Sequence, residues 1–205
     1  MGLYSNKIFP FFLEKAMSKK QLQKQREHLL KTAKGHVLEI GFGTGLNVPY
    51  YSSNVQSITA IDINPGMTSR AKKRMRASSV PIQYHIASVE KLPFEDRSFD
   101  TIVSTWTLCS VNQIEKALSE IRRTLKPDGR FLFVEHGLSK KPSLKRWQHF
   151  LSPLWLKISL GCYLDRNIRE ILQLSGFKIL EGKEFRLPGM LPIVGYTYRG
   201  EATLE

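Results

Sequence analysis

The stretch VLEIGFGTGLNVPYY, residues 37–51, places an apolar run with the pattern of a buried strand directly before three glycines in five positions, Gly41, Gly43 and Gly45. A buried strand followed by a glycine-rich turn is typical of the first strand of an open α/β sheet, where a ligand approaches the backbone closely. A tight turn from strand to helix requires glycines even without a ligand, so this pattern alone leaves both interpretations open.

Strand and helix patterns alternate along the chain on both sides of this stretch. Strands are predicted at residues 36–40, 56–62, 82–87, 99–105 and 130–136, and helices at residues 10–33, 65–76 and 112–125. Alternation at this spacing predicts a doubly wound α/β fold, in which helices cover both faces of a parallel sheet. Because the sequence has no internal repeat and no Pro/Gly/Ser linker, we expect residues 1–205 to form a single domain.

Length and composition set further bounds. The chain has 205 residues, of which 41% are apolar and 24% charged, as in a globular protein with one full core. No apolar run approaches the ~20 residues that span a bilayer. The first fifteen residues lack the apolar region and the cleavage site of a secretory signal, so we expect a cytoplasmic protein.

The two cysteines also fit a cytoplasmic protein. Cys109 and Cys162 are far apart in the sequence and have no Cys-x-x-Cys spacing. This argues against a disulfide framework and against a zinc site, and no metal is expected.

The net charge of +13 lies mainly at the two ends of the chain. Residues 1–34 contain eight Lys/Arg against two Glu and residues 137–205 contain eleven against six, whereas residues 35–136 contain twelve against ten. A basic surface attracts nucleic acid, anionic lipid or an anionic substrate, and its sign does not choose among them. A solvated helix face accounts for the charge equally well.

The glycine spacing does not fit the common phosphate sites. A dinucleotide fingerprint needs its third glycine five positions after the first, where this chain has Leu46, and GTGLN lacks the Lys of a phosphate loop. Asp62 ends the second predicted strand, where a carboxylate can bind both hydroxyls of a ribose. S-adenosylmethionine, an adenosine without phosphate, fits both observations. Glu39 would meet its ammonium group, and N–H groups at the next helix start would meet its carboxylate.

Four stretches together resemble the class I S-adenosylmethionine-dependent methyltransferases. They are VLEIGFGTG (37–45), AIDINPGM (60–67), VEKLPFEDRSFDTIVST (89–105) and LKPDGRFLFVEHG (125–137). Their order and spacing match the family over about residues 36–137. The resemblance implies a Rossmann-like, mostly parallel seven-stranded sheet with an N-terminal helix and a helical lid after strand five, and S-adenosyl-L-methionine as the cofactor.

The same resemblance assigns cofactor-binding roles. It places Glu39 and the three glycines at the methionine end of the cofactor, Asp62 at the ribose, and Ile63 with Met67 beside the adenine. Where the family usually has an acidic residue near the adenine amino group, this chain has Ser88, followed by Val89 and Glu90. Thr105, which ends the fourth predicted strand, is also expected in the cofactor site.

The flanking stretches resemble the small membrane-associated thiol S-methyltransferases of animals and their bacterial relatives. The stretches are STWTLCSV (104–111), residues 134–177 and PIVGYTYRG (192–200). The animal members carry an apolar N-terminal anchor, in place of which this chain has only IFPFFL before its basic helix. The resemblance implies methyl transfer to a small apolar acceptor, a thiol above all.

Methyl transfer from a sulfonium is an in-line displacement that needs no metal and no covalent nucleophile. His136 and Glu135, at the end of the fifth predicted strand, are the catalytic candidates, with His136 as the base that favours the acceptor thiolate. Candidates for the acceptor pocket are Trp106, Cys109, Trp147, Phe150 and Tyr163. Each of them also has an ordinary alternative, a packing role for His136 and a core role for Cys109 and the aromatic residues.

The parts outside the predicted core, residues 36–136, read as coverings. Residues 1–34 form a basic N-terminal helix, residues 138–163 a lid inserted after the fifth strand, and residues 164–205 the last helix and the C-terminal strands. The N-terminal helix and the lid both combine Lys and Arg with apolar side chains, which suits occasional contact with an anionic membrane surface.

Three classes of function remain open. The first is a thiol S-methyltransferase, and the second methylates a lipid amine such as phosphatidylethanolamine, or a quinone. The third, an RNA methyltransferase or nucleic-acid binder, rests on charge alone, and no nucleic acid is expected because no base-methylating motif of the Asn-Pro-Pro-Tyr type is present. We expect a monomer or a weak dimer.

Overall fold

The computed structural model describes residues 9–159 and 161–205, without the side chains of residues 9, 10, 13 and 67–69. The strands in these ranges are β1 (Gly35–Ile40), β2 (Val55–Asp62), β3 (Ile82–Ile86), β4 (Phe99–Thr105), β5 (Leu125–His136), β6 (Phe177–Arg186) and β7 (Tyr196–Leu204). The helices are α1 (Phe9–Met17), α2 (Lys20–Leu30), α3 (Thr68–Arg76), α4 (Ile114–Thr124), α5 (Pro142–Ile158), α6 (Ile168–Leu174) and α7 (Pro192–Gly195).

All seven strands form one sheet in the order β3-β2-β1-β4-β5-β7-β6. The first five strands pair in parallel, and β7 pairs antiparallel with both β5 and β6. The predicted doubly wound, mostly parallel seven-stranded sheet is therefore confirmed. The strand order reverses between β1 and β4, so the carboxyl ends of these strands border the crevice where such sheets bind ligands.

Two apolar clusters cover the two faces of the sheet. Successive side chains of a strand point to opposite faces, and Leu38 belongs to one cluster while Val37 belongs to the other. Helices α4 and α6 supply the first cluster through residues such as Leu118 and Leu172, and α2 supplies the second through Leu30. The near-continuous apolar strands predicted from sequence are thus buried on both sides.

The N-terminal helix predicted at residues 10–33 is two helices instead. The chain is extended at Lys19, between α1 and α2, with φ −63° and ψ 142°. Just before this point the Ser18 hydroxyl donates to the Glu14 carbonyl at 2.6 Å, and Arg26 donates to the Met17 carbonyl at 2.9 Å. Side chains that take up backbone carbonyls in this way compete with the next helical turn.

The predicted boundary between α4 and β5 is also wrong. The turn signal KPDG predicted a strand beginning at Arg130, whereas β5 begins at Leu125. Leu125 pairs with Phe99 and Arg130 with Thr101, so the turn residues lie in an irregularity within the strand. A bulge adds residues to one strand and accommodates a turn-forming sequence without ending the ladder.

Helix α5 follows β5 as the lid insertion was expected to. Gln148 on α5 is fully buried and donates to the carbonyls of Gly137 and Ile193, both at 3.0 Å. Its side-chain oxygen accepts the Ser139 N–H at 2.8 Å. One glutamine thereby fixes α5 to the segment that leaves β5. Within the described ranges, no helix is both long enough and apolar enough to cross a membrane.

Candidate active site

The glycine loop after β1 has a backbone that favours glycine at each of its three glycine positions. Gly41, Gly43 and Gly45 have φ angles of +67°, +57° and +80°. A Cβ atom on Gly41 would overlap the side chain of Thr107, whereas one on Gly43 would meet only the Gly41 carbonyl oxygen, at 3.9 Å. Gly41 is therefore required by packing, and the backbone at Gly43 borders space that a ligand can occupy.

Asp62 lies at the end of β2 and orients the glycine loop. Its Oδ2 accepts the N–H of Gly43 at 2.7 Å, and its Oδ1 accepts the N–H of Asn64 at 2.8 Å. Burial raises the pKa of Asp62, and these two hydrogen bonds oppose the shift. Each carboxylate oxygen keeps acceptor capacity for a further donor such as a ribose hydroxyl.

Glu39 is buried at the centre of the crevice. Its Oε1 accepts from Asn47 Nδ2 at 2.9 Å, and its Oε2 accepts from the Tyr51 hydroxyl at 2.6 Å. Asn47 also donates to Thr105 Oγ1 at 3.0 Å, which joins the ends of β1 and β4. Burial raises the pKa of Glu39 to about 7 despite these hydrogen bonds. A carboxylate desolvated in this way is stabilised by an approaching cation.

Two buried polar atoms beside Glu39 lack a hydrogen-bond partner within the described ranges. They are Asn47 Oδ1, an acceptor, and Arg26 Nε, a donor. The Arg26 guanidinium lies 4.8 Å from the centre of the Trp106 ring, and burial lowers its pKa to about 10. Buried polar atoms normally find partners. A free acceptor and a free donor match the ammonium and carboxylate groups of an amino acid, so these residues fit the methionine end of S-adenosylmethionine.

The loop after β4 is strained and fixed by Glu135. Trp106 has φ +52°, a conformation that is rare for a bulky residue and recurs at functional sites. Glu135, fully buried on β5, accepts from Ser104 Oγ at 2.6 Å, from the Thr107 N–H at 3.1 Å and from the Cys109 N–H at 3.4 Å. Its carboxylate thus holds the loop, and we propose a positioning role for Glu135 beside the predicted base His136.

His136 contacts a cysteine that is distant in sequence. Its Nε2 lies 2.6 Å from Cys162 Sγ, and Cys162 Sγ lies 3.7 Å from Cys109 Sγ. The hydrogen bond and the charges of Cys162 and Glu135 raise the pKa of His136 above its usual value, although burial, the largest single effect, lowers it. The fold thus gathers an imidazole and two thiols at the carboxyl end of β4 and β5.

These three side chains have the ligand types of a soft-metal site, and their donor atoms lie within 4.8 Å of one another. The spacing rule that argued against a zinc site therefore does not apply, because the fold brings distant cysteines together. A thiolate and an imidazole on one tetrahedral zinc ion would be about 3.5 Å apart. The 2.6 Å separation of His136 Nε2 and Cys162 Sγ is shorter than that, so the two side chains contact each other directly.

The structure places the remaining residues predicted from sequence in different surroundings. Val89 is buried in the core, Ser88 Oγ accepts the Glu90 N–H at 3.2 Å, and Ile63 is exposed beyond β2. The Met67 side chain lies outside the described part of the structure. Tyr163 does reach the cluster region, since its N–H donates to the Cys109 carbonyl at 2.8 Å.

Trp147 and Phe150 do not join these residues. Their rings contact each other edge to face, 6.0 Å apart, and both are largely exposed on α5. Their assignment to the acceptor pocket is therefore not supported, because helical spacing did not reveal which face of α5 is turned inward. The inward face is that of Gln148 and Ser152, the two buried residues of α5.

Several residues of the site were missed from sequence. Arg26 stood in a helix whose Lys and Gln content indicates a solvated face, and Asn47 and Tyr51 belong to no recognised motif. Arg166 donates to the carbonyls of Leu108 and Val111 and lies with its guanidinium 4.1 Å from the Tyr163 ring centre.

Comparison with known proteins agrees with this geometry. A family described as "Methyltransferase domain" matches residues 38–133. The chain is 32% identical to thiol S-methyltransferase TMT1A of Homo sapiens, over 92% of this chain and 84% of that protein. It is 26% identical to the phosphatidylethanolamine N-methyltransferase of Cereibacter sphaeroides, over 80% and 81% respectively.

A solved structure supports the fold assignment. A SAM-dependent methyltransferase from Aquifex aeolicus superposes with a TM-score of 0.65 at 18% identity, covering 96% of this chain and 98% of that one. At this identity the likeness concerns the fold alone.

Proposed function

The chain belongs to the S-adenosylmethionine-dependent methyltransferases, the family of its thiol S-methyltransferase relatives, and from that membership we propose that it methylates the sulfur atom of a small apolar thiol. The observation that carries the proposal is the imidazole of His136 at the carboxyl edge of β5, where it already contacts a sulfur atom at 2.6 Å. A position that receives the Cys162 sulfur suits the sulfur of an acceptor as well.

The cofactor is S-adenosylmethionine, which supplies an activated methyl group when it is bound. We assign its ribose hydroxyls to Asp62 and its ammonium group to Glu39 and the unpartnered Asn47 Oδ1. The buried guanidinium of Arg26 would bind its carboxylate in a charge-assisted contact. The Lys- and Gln-rich sequence of α2 did not predict this contact. Gly43 would allow the close backbone approach that any side chain would obstruct.

The acceptor side of the site favours a thiolate. A thiol reacts as its thiolate, whose unperturbed pKa is about 8.5, so nearby positive charge raises its population at neutral pH. His136 and Arg166 both lie beside the sulfur atoms of the cluster. Tyr163, whose ring lies 4.1 Å from the Arg166 guanidinium, supplies apolar surface beside Cys162, as a small apolar thiol requires.

An assay of methyl transfer tests the proposal. The purified chain would be incubated with S-adenosylmethionine and, in parallel, an alkyl thiol, phosphatidylethanolamine vesicles or a quinol, and S-adenosylhomocysteine would be measured. We expect turnover with the thiol. Turnover with the lipid or the quinol and none with any thiol would overturn the thiol assignment and leave the methyltransferase assignment intact.

Replacement of His136 separates a catalytic from a packing role. His136→Ala removes the group that favours the acceptor thiolate, so thiol methylation should slow most at low pH, where unassisted thiolate is scarce. The readout is kcat as a function of pH, with the cofactor affinity as a folding control. A uniform loss at every pH would demote His136 to a structural residue.

The exposed face of α5 favours acceptors that partition into membranes. Four apolar side chains, each more than half exposed, follow one face of the helix: Trp147, Phe150, Leu154 and Ile158. Cations flank them, since α5 also carries Lys145, Arg146 and Lys157. This pattern is typical of a helix that lies at a membrane surface. It also keeps a lipid amine, the substrate in the name of the Cereibacter sphaeroides relative, as the second candidate acceptor.

A further inference from the structure

Methyl transfer to an external acceptor leaves the two cysteines of the chain, Cys109 and Cys162, without a chemical role. Both thiols are free. Cys162 is half-buried in the irregular segment between α5 and α6, and its Sγ contacts His136 Nε2 at 2.6 Å. A partly buried thiol paired with an imidazole is the arrangement that generates a reactive thiolate.

Cys109 is the natural partner of Cys162. Its side chain is fully buried in the short turn after β4, and the two sulfur atoms are 3.7 Å apart, in van der Waals contact. Hydrogen bonds to the backbone keep the two segments adjacent. The Tyr163 N–H donates to the Cys109 carbonyl, and the Arg166 side chain donates to the carbonyls of Leu108 and Val111. Closing the gap to the ~2.05 Å of a disulfide requires a small shift of the irregular Cys162 segment.

The surrounding groups shift the pKa values of the two thiols in opposite directions. The hydrogen bond between the two thiols, with that to His136, holds the pKa of Cys162 well below its usual range although burial raises it. The same hydrogen bond and burial raise the pKa of Cys109. Of the two thiols, Cys162 is therefore the one that ionises more readily.

We propose that Cys162 is a peroxide-reactive site, at which a hydroperoxide oxidises the thiol, and that Cys109 converts the product into an intramolecular disulfide. In the first step the Cys162 sulfur attacks the distal peroxide oxygen. An S–O bond forms and the O–O bond breaks, which gives a sulfenic acid, and the leaving alkoxide or hydroxide takes a proton from the His136 imidazolium to give an alcohol or water. The sulfur loses two electrons, and the hydroperoxide gains them.

In the second step the Cys109 sulfur attacks the sulfur of the sulfenic acid. The S–S bond forms as the S–O bond breaks, and the departing hydroxide with the proton of the Cys109 thiol gives water. The net reaction consumes two thiols and one hydroperoxide, and removes two hydrogen atoms from the chain. Neither step uses S-adenosylmethionine, so the proposal stands apart from the acceptor assignment.

The test treats the reduced full-length chain with hydrogen peroxide, blocks residual thiols with N-ethylmaleimide and measures the intact mass. We expect a monomer lighter by two hydrogen atoms, with no maleimide added, which dithiothreitol returns to the dithiol. In the untreated protein at pH 6, iodoacetamide should label Cys162 before Cys109, as peptide mapping would show. This second measurement needs no variant.

Variants assign the roles. Cys109→Ser should stop the reaction at the sulfenic acid, detected as a dimedone adduct on Cys162, and Cys162→Ser should slow peroxide consumption about tenfold. His136→Gln should slow it by a similar factor. His149→Gln is the matched control, because His149 is an exposed histidine that pairs with Asp165 instead of a thiol.

Three results would overturn the proposal. The first is equal labelling of both cysteines by iodoacetamide, and the second is peroxide treatment that yields only chain-to-chain disulfides. The third is a stoichiometric metal ion, found by elemental analysis of the purified protein, whose removal is required before either thiol reacts. In that case the cluster of Cys109, His136 and Cys162 would be a metal site.

Discussion

The carboxyl group of Glu39 couples the stability of the protein to pH. Burial raises its pKa to about 7 in the folded chain, against an ordinary value of 4.5. Between these values the folded state binds more protons than the unfolded state, so the free energy of unfolding falls as the pH rises. Above pH 7 the buried carboxylate therefore costs the cofactor-free protein ~3 kcal/mol at most.

Glu39→Gln should remove that cost. We expect the variant to be more stable than the parent at pH 8, with little difference at pH 4.5, and to bind S-adenosylhomocysteine more weakly, because the ammonium group loses a charged partner. Urea denaturation at the two pH values gives the first quantity and calorimetric titration the second. A stability difference that is the same at both pH values would show that Glu39 does not titrate in this range.

Asp62 is the residue with which we test the ribose assignment. Asp62→Ala removes an acceptor of two hydroxyl groups and should weaken cofactor binding by about 1 to 3 kcal/mol, measured by calorimetric titration. Asp96→Asn is the control, since Asp96 is exposed and pairs with Arg123 away from the crevice. Unchanged cofactor affinity in Asp62→Ala would show that the ribose does not bind this carboxylate.

Gly43 tests the placement of the glycine loop. A Cβ atom there meets only the Gly41 carbonyl oxygen, at an ordinary 3.9 Å, so Gly43→Val should fold and fail to bind the cofactor. The positive φ adds strain of about 1 to 2 kcal/mol. Gly189→Val carries comparable strain at φ +71° beside Gln21 and should keep full affinity. Preserved binding by Gly43→Val would mean that the cofactor lies elsewhere.

Helix α5 is the element whose surface we expect to bind membranes. Replacement of both Trp147 and Phe150 by Asp should abolish co-sedimentation with anionic vesicles, because it charges the centre of the exposed apolar face. Leu174→Asp is the matched control, since Leu174 is a highly exposed leucine on α6. Parent protein that stays in the supernatant at low and high salt would contradict the membrane proposal and leave the methyltransferase unaffected.

Elements were predicted best where burial alone decides them. Strands β2 and β4 were predicted within one residue of their ends, because long β-branched runs have no other stable environment than a covered sheet. The break between α1 and α2 and the start of β5 were missed. Both depend on contacts between a side chain or strand and a distant backbone segment, which local periodicity does not contain.

For the molecule as a whole, we propose that residues 1–205 form one cooperative domain. Both apolar clusters pack on the same sheet, so neither half can keep its core without the other. We expect a single thermal transition that S-adenosylhomocysteine at about 100 times its Kd raises by roughly 5 to 10 °C. Two separate transitions, or a shift of only one part of the melting curve, would show independent units.

The sequence by itself determined the doubly wound sheet, the crevice at the carboxyl ends of β1 and β2, and the roles proposed for Gly43, Asp62 and Glu39. These depend on local signals, since apolar periodicity, glycine spacing and a carboxylate at a strand end are each contained in a few consecutive residues. Only the tertiary structure decided that Arg26 enters the site, that Glu135 holds a loop, and that Cys162 meets His136 and Cys109. The physical reason is that these contacts join segments that are distant in the chain: 26 residues separate His136 from Cys162, and 53 separate Cys109 from Cys162. Such pairings are set by the order in which the strands pair in the sheet and not by any local conformational preference.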